Sequence, residues 1–159
     1  MVLISHRGNI NGRKPKSENN PKYIKSALDL GYDVEIDIWY TDNKFYLGHD
    51  DESHEIEFDY LFNDKFWIHC KNIGALDYLV NYDRNKNSED PELPNYFWHQ
   101  DDDFTLTSKN IIWTYPGETL TTISVCVLPE ISDSGDSDIS LCYGICSDYI
   151  EKYKPFSEQ

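Results

Sequence analysis

Asp33-Val34-Glu35-Ile36-Asp37-Ile38-Trp39 alternates polar and apolar side chains with a period of two, and that period predicts a β-strand. Side chains two apart on a strand share a face and stand roughly 6–7 Å apart. Glu35 and Asp37 therefore project from one face, and Val34, Ile36 and Ile38 from the other. Two carboxylates side by side repel, and burying them is costly. Either a metal ion or cationic side chains compensate, or the strand lies at an edge and its acids face water.

The flanking sequence reads as alternating strands and helices. Val2–Ser5 is a strand, and residues 8–20, rich in Asn, Gly, Lys, Pro and Ser, are loop. A helix is expected from Pro21, which suits the first helical position, with Asn20 as cap and Gly31 as stop. Ile24, Ala27 and Leu28 form its apolar face. Thr41-Asp42-Asn43 turns the chain into a short extension, Phe45–Leu47. Phe66–Cys70 reads as a strand, Gly74–Tyr82 as a helix and Asp83–Pro94 as a loop. Tyr96–His99, Ile111–Thr114, Ser124–Leu128 and Leu141–Cys146 read as short strands, with a flexible acidic loop over Ser132–Asp138. Alternation in the first half points to parallel βα units; later connections are too short for full helices. The 159 residues suit one domain, 1–155, with a frayed tail at 156–159.

Charge and composition exclude several roles. The formal net charge is −15, which argues against a nucleic-acid surface and against adsorption to anionic membranes. No apolar stretch approaches membrane-spanning length, and the N-terminus enters a strand at once without a leader pattern, so a cytoplasmic protein is expected. Arg7, Arg13, Lys14 and Lys16 gather four of the 14 basic residues in ten positions. They form either a solvated loop or a local anion-attracting rim. Cys70, Cys126, Cys142 and Cys146 make no CxxC pair and read as reduced, buried residues.

Further ionisable residues follow the strands. His69 and Lys71 share a face by the same alternation. If Phe66–Cys70 neighbours Asp33–Trp39 in a parallel sheet, Glu35, Asp37, His69 and Lys71 converge. His6 ends the first strand, where parallel α/β folds collect their chemistry, and Arg7 adds a fork suited to phosphate. His49 follows Gly48 and precedes Asp50, which can orient one ring nitrogen. His54 reads as loop surface and His99 as strand packing.

The ordered set His6-Arg7-Gly8, Glu18-Asn19 before a helix, Gly31, Glu35-x-Asp37, Thr41 and His49-Asp50 resembles the glycerophosphodiester phosphodiesterase family. Trp67–Lys71 resembles the strand that supplies a further metal carboxylate and a Lys, and Gly144–Asp148 the closing strand of that barrel. The resemblance implies an α/β fold of the TIM type, here a reduced (β/α) barrel with short or missing helices in its second half, because about 250 residues is usual. It implies metal-dependent hydrolysis of a small phosphodiester, with Glu35, Asp37 and His69 on the metal, His6 and His49 as the acid–base pair, and Arg7 and Lys71 on phosphate. The family's metal is calcium or magnesium. His69 stands where the family has a Glu, and its softer nitrogen shifts preference toward manganese or zinc. A trimmed barrel would cover its apolar flanks as a homodimer. Two other roles fit the same residues: a phosphate- or metal-binding module without turnover, or an interaction protein whose strand acids face solvent.

Overall fold

A computed structural model describes residues 1–131 and 139–157. The acidic loop expected over 132–138 lies outside the described residues, as do the last two positions of the expected tail.

Ten strands form one curled, mixed sheet. They are β1 (Val2–His6), β2 (Asp33–Thr41), β3 (Lys44–Leu47), β4 (His54–Ile56), β5 (Phe66–Cys70), β6 (Asn95–Trp98), β7 (Phe104–Leu106), β8 (Ile112–Thr114), β9 (Ser124–Val127) and β10 (Gly144–Ser147). Three short α-helices accompany them among the described residues: α1 (Pro21–Asp29), α2 (Ile73–Asn85) and α3 (Lys154–Ser157). β1 lies between β2 and β10, and the run β6-β5-β2-β1-β10-β9-β8 is parallel throughout. β3, β4 and β7 add antiparallel ladders. Beyond the ladders, the β7 segment hydrogen-bonds β6: Thr105 Oγ1 donates to the Trp98 carbonyl at 2.8 Å, and Ser108 N to the Tyr96 carbonyl at 2.9 Å.

The expected (β/α) barrel is therefore overturned. The chain is a curled sheet of the half-barrel kind, and the described residues form no surrounding layer of helices. The physical reason lies in what covers the outer face. Along β2 and β5 that cover comes from α1, α2 and the β3–β4 hairpin, which bury Ile24, Ala27, Ala75, Leu79 and Phe45 against Val34, Ile36 and Ile68. Along β9 and β10 it comes from irregular segments and short helical turns: Ile139, Cys142, Ile150 and Tyr153 pack on Cys126 and Ile145. Such segments bury enough apolar surface for short strands, so no full crossover helix is needed there.

Helix signals in the sequence held where they were local. Asn20 accepts a hydrogen bond from Lys22 N at the start of α1, as expected, whereas α2 starts one residue before the expected Gly74 and is capped by Asn72, which was not read as a cap and accepts from Ala75 N. β4 and β7, each three residues long, were not legible in the sequence. His54, read as loop surface, opens β4. The four cysteines are free and buried. No helix among the described residues is long and apolar enough to cross a membrane.

Alternation places the site. On the inner face, Ile4, Trp67, Phe97, Trp113, Val125, Val127 and Cys146 form a packed apolar cluster. Two residues beyond Ile4, Trp67, Phe97, Trp113 and Cys146, at the ends of their strands or just past them, stand His6, His69, His99, Tyr115 and Asp148. The inner face thus turns from hydrocarbon to polar groups toward the carboxyl ends of its strands.

Candidate active site

Glu35 and Asp37 are 2% and 0% exposed, which removes the edge-strand reading of their alternation. The parallel ladder sets Asp37 opposite His69 and His6 opposite Glu35. His6, Arg7, Glu35, His49, His69 and Lys71 all line one cavity of about 560 Å³, and Asp37 lies beneath it.

His6 is held by a residue far away in the chain. Its Nδ1 lies 2.7 Å from Asp148 Oδ1. The carboxylate accepts the Nδ1 proton and leaves Nε2, 3.9 Å from Glu35 Oε2, on the cavity side. Asn9 Nδ2 donates to the same Asp148 oxygen at 2.8 Å. Burial works against the Asp148 charge, but the His6 and Asn9 hydrogen bonds outweigh it and hold its carboxyl below the usual range.

Arg7 and Gly8 both have positive φ, 55° and 89°, and Asn9 N donates to the His6 carbonyl, as in a tight I′-like turn. The turn directs the Arg7 side chain inward. Its Nε lies 2.9 Å from Asp37 Oδ2, and Nη1 lies 3.3 Å from Glu18 Oε2. Arg7 therefore neutralises the buried acids as well as lining the cavity. Asn19, also at positive φ, grips Asp37 twice: its Nδ2 donates to Oδ2 at 2.8 Å, and its Oδ1 accepts from Asp37 N at 3.0 Å. Burial alone would raise the Asp37 carboxyl. Arg7, His69 and Lys71 reverse that and hold it far below the usual carboxylate range. Glu35 goes the other way: burial, and then the Asp37 charge, push its carboxyl up.

His69 supplies the clearest chemical constraint. Its Nε2 lies 2.9 Å from the His99 carbonyl oxygen, an acceptor only, so Nε2 carries a proton. Nδ1 is then the atom left to hold either a second proton, shared with Asp37, or a metal ion that displaces that proton. That atom lies 3.0 Å from Asp37 Oδ1 and 3.8 Å from Glu35 Oε1. Glu35 Oε2 and Asp37 Oδ1 are buried without a hydrogen-bond partner. Ligand atoms of Glu35, Asp37 and His69 lie within 4.8 Å of one another. One oxygen from each carboxylate and one imidazole nitrogen, this close together, could hold a divalent cation, and the mixed O,O,N set matches a borderline first-row ion. Lys71 Nζ stands 3.7 Å from Asp37 Oδ1 at the margin of this group.

His49 lies across the cavity on the loop after β3. Gly48 has φ 154°, and a Cβ there would meet the Asp51 carbonyl at 1.9 Å, so this turn requires glycine. His49 Nδ1 lies 2.7 Å from Asp50 Oδ1. Burial, with Arg7 and Lys71 adding to it, lowers the His49 pKa from its ordinary value.

The structure brings together every expected site residue: His6, His49, Glu35, Asp37, His69, Arg7 and Lys71. The basic run is used mainly for support, since Arg13 Nε pairs with Glu18 at 3.3 Å and Lys14 Nζ lies over the Tyr23 ring. Four contributors were not read from the sequence as site residues, although Asn19 and Asp148 stood within the motifs that carry the resemblance. Asp148 orients His6 across 142 residues of chain, a separation no local pattern reveals. Asn9 and Asn19 act through side-chain bonds made by loop geometry. His99, expected in strand packing, borders the cavity and anchors His69 through its carbonyl. The chain matches no protein-family model, no curated protein and no solved structure.

Proposed function

We propose that this protein is a metal-dependent phosphodiester hydrolase that uses histidine acid–base catalysis, of the glycerophosphodiester phosphodiesterase kind. The observation that carries this reading is His6, fixed by Asp148 and facing Glu35 in a cavity shared with His49, Arg7 and Lys71. Two oriented imidazoles meet the needs of general acid–base catalysis. One takes the proton from the attacking water, or from a substrate hydroxyl whose cyclic product water then opens, and the other returns a proton to the leaving alcohol oxygen. Lys71 and the remaining donors of Arg7 bind the non-bridging phosphate oxygens. Glu35, Asp37 and His69 would hold the divalent ion. A divalent ion held there would supply Lewis-acid stabilisation of the charge that builds on a phosphoryl oxygen.

A second reading, a phosphate-binding module without turnover, draws on His69, which gives the cluster one negative charge fewer than a third carboxylate would. One experiment separates the two. Purified protein, stripped of metal and resupplied with manganese, is assayed against a panel of diesters including bis(p-nitrophenyl) phosphate and glycerophosphocholine. Hydrolysis that falls on the order of 10²-fold or more in His6→Ala, with an unchanged circular dichroism spectrum, supports the hydrolase. Binding of phosphate without hydrolysis of any diester supports the module. Equal turnover by His6→Ala and the parent removes His6 from the chemistry.

A further inference from the structure

The cavity has a second wall that acid–base chemistry does not use. Trp113, Tyr115, Pro116, Val127, Leu128 and Ile131 line the cavity from the β8 and β9 side, and His99, Gln100 and Asp101 complete the lining. Trp113 and Val127 belong to the packed inner cluster and form a rigid base. Tyr115 and Ile131 are 48% and 67% exposed, unusual for large apolar side chains beside an ionisable site. Leu128 is held at φ 45°, a backbone region a leucine rarely adopts, immediately after β9. Its amide donates to the Cys146 carbonyl at 2.7 Å, which pins that conformation and places the side chain on the cavity. One mouth therefore has cations on one side, Arg7 and Lys71, and aromatic and aliphatic carbon on the other.

We propose that this wall is a subsite for a hydrocarbon chain, so that the preferred substrate is an amphiphilic phosphodiester with an acyl or alkyl group on one of its alcohols. The inference rests on the hydrolase reading for its catalytic half, and on the wall alone for its binding half. A diester whose phosphate lies against Arg7 and Lys71 has its alcohol substituents within the same cavity. A small polar alcohol leaves the carbon wall facing water. A hydrocarbon chain covers Leu128, Tyr115 and Ile131, and each buried methylene strengthens binding about three- to fourfold. Several methylenes on the wall give a preference of at least about tenfold.

The test uses the full chain and two monomeric diesters that differ only in the chain, glycerophosphocholine and its 1-octanoyl ester. The expected result is a kcat/KM at least about tenfold higher for the octanoyl compound. Tyr115→Ser and Ile131→Ser, both at exposed positions, should bring that ratio toward one. Calorimetric titration with octyl phosphate and ethyl phosphate reads binding without turnover, and octyl phosphate is expected to bind at least about tenfold more tightly. Equal kcat/KM for the two diesters overturns the subsite and leaves the hydrolase reading standing. No hydrolysis of either diester, with tight octyl phosphate binding lost in Ile131→Ser, removes the hydrolase and keeps the subsite. A ratio unchanged by both serine variants also overturns it.

Discussion

At the scale of single residues, the site depends on hydrogen bonds that fix which nitrogen is free. Asp148 sets the His6 tautomer, and the His99 carbonyl sets that of His69. Asp148→Asn keeps the shape but lets the amide present either a donor or an acceptor to Nδ1. The expected outcome in steady-state kinetics is a kcat lower by roughly 10²–10⁴-fold with little change in KM, as expected of a residue that positions a catalytic imidazole. A proportional rise in KM would instead mark Asp148 as part of substrate binding. On the proposed function, His69 would set the metal preference. Parent protein, stripped and titrated by calorimetry, should bind manganese or zinc more tightly than calcium. His69→Glu, an all-oxygen set, should narrow or reverse that order. A variant with the parent's order would show that His69 is not a ligand. The sequence already carried these side chains. It could not show Asp148 beside His6, because that pairing depends on β1 and β10 lying side by side.

At the scale of elements, a few polar side chains join segments that the strand pattern leaves separate. Asn72 is the clearest. Its Oδ1 accepts from Ala75 N to cap α2 and from Tyr40 N in β2, and its Nδ2 donates to the Tyr40 carbonyl. One side chain therefore couples the end of β2 to the start of α2. Asn72→Ala loses the cap and strands part-buried backbone groups, at a cost of about 2–4 kcal/mol. Urea denaturation should show a lower midpoint with an unchanged slope. A loss below about 0.5 kcal/mol would mean that water replaces these bonds. The start of α1 and the β2 alternation were legible because capping and period-two patterns act within a few residues. β4 and β7 were not, because three-residue strands are defined by their partners and carry little signal of their own.

At the scale of the whole molecule, the sheet places a repulsive pair at its centre, and stability reflects that. Burial and the Asp37 charge raise the Glu35 carboxyl above its ordinary 4.5. As pH rises from that value through the raised one, the unfolded chain has released a proton that the fold retains, so Glu35 lowers stability across this window and beyond it. Asp37, held below its ordinary 3.8, contributes stability that is present above that value and lost as pH falls through the depressed one. Glu35→Gln should accordingly raise the melting temperature of metal-free protein at pH 8 by a few degrees, roughly 2–4 °C per kcal/mol for a chain of this size. On the proposed metal site, added manganese should stabilise the parent and fail to stabilise this variant. Scanning calorimetry with and without manganese reads both effects, and a lower metal-free melting temperature would show that Glu35 supports the fold. The sequence by itself determined the amphipathic strands, the capped helices and the set of ionisable residues, since these follow from spacing and side-chain chemistry along a few residues. Only the tertiary structure decided that the strands curl without a layer of helices, that Asp148 and His99 serve the site, and that a carbon wall faces the cations. Those features arise from contacts between residues up to 142 positions apart, and strand pairing and packing select them where no local propensity does.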